Sequence, residues 1–115
     1  MNEITTSTSR PPSSREVALN RERERAEVTQ VVAALMLSFR EGGNASEAVA
    51  AAYAVSLSDL PVADVVDAAH RFMRGQVPNR NNAFPPSAAE LHAEADRLRR
   101  DRERHERIMT RGTEY

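Results

Sequence analysis

The chain has 115 residues and 12.8 kDa, with 40% hydrophobic and 29% charged residues: room for one small domain with tails and too little for two. It contains no cysteine, and all 16 basic residues are arginine, which excludes a disulfide framework, a thiolate nucleophile, a cysteine zinc site and any phosphate-loop or Schiff-base lysine. A net charge of −1 gives no global attraction to nucleic acid or anionic membrane, and 4% aromatics imply a thin Ala, Val and Leu core.

Residues 1–12 are polar, end in two prolines and carry no apolar stretch, so they read as a disordered tail without a secretory signal. No run approaches the roughly 20 apolar residues that span a bilayer. A cytoplasmic protein of a bacterial host is expected.

Ser13 with Glu16 fits a capping box, and a first helix is expected over 16–40. Val28, Val31, Val32, Leu35 and Phe39 give it one apolar stripe. The preceding RERERAE has no stripe, so fraying is expected there. Gly42 and Gly43 supply a left-handed stop. Asn44 with Glu47 offers a second capping box, for a helix over 45–57 with Val49, Tyr53 and Leu57 on one face. Pro61 suits the first position of a third helix, 61–74, whose inward residues are Val62, Val65, Val66, Ala69, Phe72 and Met73 and whose stop is Gly75.

Residues 76–86, QVPNRNNAFPP, form an irregular loop, with Val77 and Phe84 expected to fold back on the core. Ser87 with Glu90 is a third capping box, opening a helix over 87–98 with Ala88, Leu91, Ala95 and Leu98 inward. Beyond Leu98 the chain reads RRDRERHER, with Asp96–Arg100 and Glu103–Arg107 spaced for ion pairs. The segment can be helical but not core, and the fold should not need it. No stretch alternates with a strand period. The sequence therefore specifies an all-α protein: a tail (1–12), a three- to four-helix bundle (13–98) and a charged, weakly ordered helical tail (99–115). Leu35, Tyr53, Val66, Phe72 and Leu91 are its expected core.

Little points to catalysis. His92 and Asp96 could face a metal together, but no further ligands are in sight, and solvated polar residues explain them better. His70, at the edge of an apolar face, reads as a packing residue. The carboxylates sit at helix starts or in charge-mixed faces, where capping and dipole effects account for them. No cofactor is expected. From Gln76 onward eight arginines face seven acids, a local balance of +1. That is too little unpaired charge for a helix that tracks phosphates.

One stretch is more specific. Tyr53, Leu57, Leu60, Val66 and Phe72, followed by the run Phe84, Pro85, Pro86, Ser87, Ala88, Ala89, Glu90 and Leu91, resemble the replicative-helicase loader/inhibitor family of small phage proteins. The resemblance covers about half the chain; a tryptophan common in the family's middle helix is missing, and the charged first helix is extra. It implies a non-enzymatic adaptor that binds a replicative helicase, holds it off DNA and hands it to an origin-binding protein. It also implies a C-terminal partner-binding element, which here comprises Arg97, Arg100, Arg104, Arg107, Ile108, Met109 and Tyr115. Two alternatives stand beside it: a homo-oligomeric phage assembly protein paired through the charged first helix, and a small DNA-binding regulator. The regulator would need a recognition helix with an Arg, Asn and Gln cluster, which no segment supplies.

Overall fold

The computed structural model describes residues 13–39 and 46–112. Among these residues there are four helices and no strand: α1 (Ser14–Leu37), α2 (Glu47–Ser56), α3 (Val62–Met73) and α4 (Ala88–Gly112). The all-α expectation is met. The expected tail, Gly42, Gly43, Asn44 and Tyr115 lie outside the described residues.

α1 starts where the Ser13 hydroxyl accepts the Glu16 N–H, at 3.2 Å. It then runs unbroken through RERERAE, contrary to the expected fraying. Once a helix is nucleated, each further residue adds one hydrogen bond, and alternating charges offer no opposition. The helix ends at Leu37, three residues early, because the Ser38 hydroxyl donates to the Leu35 carbonyl at 2.6 Å and closes the last turn. Its buried residues are Val28, Val32, Leu35 and Met36.

α2 departs from expectation at its start and on its face. Ser46, not Asn44, caps it, accepting the Val49 N–H at 3.1 Å. Its buried line is Ala50, Ala54 and Leu57, while Val49 is 39% exposed. The alanines let α2 lie close on α1, and that contact sets the rotation of the helix. Tyr53 is only half-buried: its hydroxyl donates to the Pro86 carbonyl at 3.2 Å, which holds the phenol at the rim.

α3 begins at Val62, with Pro61 one position outside it as the cap. Val65, Ala68, Ala69 and Phe72 are buried, Val62 and Met73 pack at the margin, and Val66 is turned to the side, half-buried. Gly75 ends the helix at φ +67°, a conformation that strains any residue with a Cβ. There the Gly75 N–H reaches the Phe72 carbonyl and the Gln76 N–H the Arg71 carbonyl.

The following loop exchanges two expected roles. Val77 packs on the core, but Phe84 stays 51% exposed. Arg80 lies where Phe84 was expected, its guanidinium 5.0 Å from the Phe72 ring centre and 5.9 Å from that of Phe39. A guanidinium on aromatic faces retains part of its electrostatic stabilisation out of water. The Arg80 Nε pairs with Glu90 at 3.5 Å, while its buried Nη1 has no hydrogen-bond partner among the described residues.

The Ser87 box forms as read: the Glu90 N–H donates to the Ser87 hydroxyl at 3.1 Å, and the Ser87 N–H to the Glu90 carboxylate at 2.9 Å. α4 then buries Leu91 and Ala95 against α3, touching α2 as well. α1 packs on both α2 and α3.

Three substitutions test this arrangement. Leu91→Ala, at a fully buried position, should cost about 2–5 kcal/mol in chemical denaturation. Val49→Ala should stay within about 0.5 kcal/mol, because Val49 is outside the core; a loss as large as that of Leu91→Ala would place it inside. Ser87→Ala should cost about 1 kcal/mol, the usual loss for an N-cap.

Candidate partner-binding surface on the C-terminal helix

α4 is 25 residues long, roughly 37 Å at 1.5 Å per residue, and the apolar bundle supports only its first half. Leu91, Ala95, Leu98, Arg102 and Met109 fall within a narrow stripe at 100° per residue. Leu91 and Ala95 are buried, and Leu98 packs at the margin. The helix does not weaken at Leu98 as the apolar pattern does; it continues through Gly112.

Electrostatics carries it onward. Asp64, 4% exposed, faces α4 from the first turn of α3. Arg102 meets it with Nη2 at 2.8 Å from Oδ2 and Nε at 3.4 Å from Oδ1. The residues beyond Leu98 are therefore not spare to the fold: removing Arg102 would leave a buried carboxylate unpaired. A second clamp lies nearer the helix start. The buried Glu94 receives Arg97 at 2.6 and 3.0 Å and Arg71 of α3 at 2.6 Å. Hydrogen bonds from Arg97, then Arg71, hold the Glu94 carboxyl below its ordinary range, against the opposing effect of burial. The Ser87 N–H, more than the Arg80 charge, does the same for Glu90. Burial, then the Glu90 charge, raises the Tyr53 phenol.

The residues that sequence resemblance assigns to partner binding are distributed unevenly. Arg97 is engaged by Glu94 and Asp101, Arg100 by Asp96 at 2.9 Å, and Arg104 by Asp101 at 3.7 Å. These arginines neutralise their own helix. The expected Glu103–Arg107 pair does not form; Glu103 turns back to Arg99 at 3.3 Å, leaving Arg107 exposed with no ion pair among the described residues. Ile108 and Met109, 61% and 57% exposed, stand side by side near the helix end. Tyr115 lies outside the described residues.

Asp64, Arg71, Glu94 and Arg102, which position this helix, were not singled out by pattern. The one available signal was Asp64 itself, an acid adjoining the apolar line of α3. The suggested metal pair is separated: His92 Nε2 lies 3.1 Å from Asp59, while Asp96 is taken by Arg99 and Arg100. Among the described residues no three His, Cys, Asp or Glu side chains are grouped to hold a metal. No helix of the described residues is long and apolar enough to cross a membrane. The chain matches no family model, and neither a curated protein nor a solved structure shows significant similarity to it.

A carboxyl held below its ordinary pKa stabilises the fold above that pKa, and the stabilisation is lost as pH falls through the folded value. Glu94 should therefore make the melting temperature drop as pH falls below about 4.3, the ordinary glutamate value. Glu94→Gln should melt lower at neutral pH and show a flatter acid limb. An acid limb as steep as that of the parent protein would remove Glu94 from this role.

Proposed function

We propose that this chain is a non-catalytic adaptor that docks a protein partner on the distal half of α4, and that the partner is a replicative helicase in phage or prophage DNA replication, within the bacterial cytoplasm. The supporting observation is that the bundle-facing stripe of α4 outlasts the bundle. Met109 continues the line of Leu91, yet with Ile108 it lies open on a helix whose charges largely pair with one another. Two apolar anchors on a preformed helix suit a groove in a partner, and a helix formed beforehand loses less conformational freedom on binding. The helicase rests on the resemblance carried by Tyr53 to Leu91. The same self-pairing argues against duplex DNA as the main ligand, since few cations are free to displace counterions.

The test keeps Arg102 and its clamp. A chain ending at Arg107, and a full-length Ile108→Asp/Met109→Asp variant, should melt close to the parent and fail to co-purify with the cognate replicative helicase. Undiminished capture would rule out the end of α4 as the docking element. No capture by the full-length chain, together with a tight shift of duplex DNA at moderate salt, would replace the adaptor reading with that of a DNA-binding regulator. Ending the chain at Leu98 would instead unfold part of the population, because Asp64 loses its partner.

A further inference from the structure

α1 also outlasts the bundle, at its N-terminal end. Its burial begins at Val28; residues 21–27 run exposed alongside α2, and residues 14–20 extend for roughly 10 Å further. Counting back from Val28, the bundle-facing line passes through Glu24, Arg21, Val17 and Ser14. The structure bears out that placement. Arg21, Glu24 and Val28 border an open groove of about 310 Å³ floored by Ala54, Leu57 and Leu60; Ser14 and Val17 continue the same line on α1 alone. The charges on this arm contrast with those of α4. Among the described residues Arg21, Glu24 and Arg25 make no ion pair, whereas five arginines of α4 do.

The spacing along this line is palindromic. Ser14, Val17, Arg21, Glu24, Val28 and Val31 are separated by three, four, three, four and three residues. An antiparallel copy therefore presents the same steps in reverse. Centred between Glu22 and Arg23, the register sets Arg21 against Glu24 twice and Val17 against Val28 twice. A twofold interface requires this self-complementarity, in which residue i meets j and j meets i. We propose that two copies of this chain associate through antiparallel α1 arms. Arg21 of each pairs with Glu24 of the other, and each Val17 enters the groove beside the other copy's Val28. Two such arms bury less than the about 1,600 Å² of a standard stable interface, so the dimer is concentration-dependent, and its partly exposed ion pairs make it weaken with salt.

Charge exchange tests the register directly. Sedimentation velocity across a concentration series should show the parent chain passing from monomer to dimer. Arg21→Glu alone sets Glu against Glu across the axis, and Glu24→Arg alone sets Arg against Arg. Each should raise the dissociation constant about tenfold or more, with helicity and melting unchanged, since both positions lie outside the core. Mixing the two variants should restore a dimer, now a heterodimer, because both cross-pairs become opposite again. No effect confined to a single helix can be rescued by mixing. Val17→Glu should also give a folded monomer. A parent chain that stays monomeric throughout, single exchanges that leave association intact, or a mixture that fails to associate would each overturn the proposal. Ending the chain at Arg107 should leave the dimer unaffected, which separates this surface from the adaptor surface on α4.

Discussion

Two buried carboxylates set the arrangement of α3 and α4. Asp64 of α3 is paired with Arg102 of α4, and Glu94 of α4 with Arg71 of α3. A carboxylate out of water is tolerated only when paired and hydrogen-bonded: Asp64 takes its counter-charge from the other helix, while Glu94 is shared between Arg71 of α3 and Arg97 of its own helix. Seven residues separate Asp64 from Arg71 and eight separate Glu94 from Arg102, about 11 and about 12 Å of helix. The two clamps span nearly the same length in antiparallel directions. Apolar packing of Leu91 and Ala95 would tolerate some sliding; these clamps define one register, and breaking the Asp64–Arg102 pair strands a buried charge.

That register determines what lies beyond the bundle. With Arg102 held on Asp64, the remaining turns of α4 project in a fixed direction, carrying Ile108 and Met109 outward. α1 does the same at the opposite end of its own stripe. The bundle is shorter than its two longest helices, and each overhang continues a bundle-facing line that finds no partner within the described residues. On α4 the charges are consumed internally and two apolar side chains are left open. On α1 Arg21, Glu24 and Arg25 make no ion pair among the described residues and lie around a small apolar margin. These are different surfaces, and they suit different occupants.

Local chemistry was legible wherever one or two residues decide the outcome. The N-cap at Ser13, the capping box at Ser87, the left-handed stop at Gly75 and the helical period of α1, α3 and the start of α4 follow from short-range hydrogen bonding and a 3.6-residue repeat. Boundaries were less legible: Ser38 closes α1 early, and Ser46 starts α2 late, because hydroxyls compete for the same backbone groups. In α2 two apolar faces were open to choice. Alanines won over Val49 because the nearest approach to α1 favours small side chains.

By itself the sequence determined that the chain is all helical, where most of its helices start, and that the apolar pattern of its last helix ends at Leu98. Those properties are set within a turn or two of chain. Only the tertiary structure decided that α4 continues past Leu98, that Arg80 rather than Phe84 covers Phe72, and that Asp64 is buried. Each depends on a charged side chain meeting a partner distant in sequence: Asp64 and Arg102 are 38 residues apart. A hydropathy pattern counts such residues as solvated, because whether a charge is exposed or buried depends on a counter-charge that the local pattern does not contain.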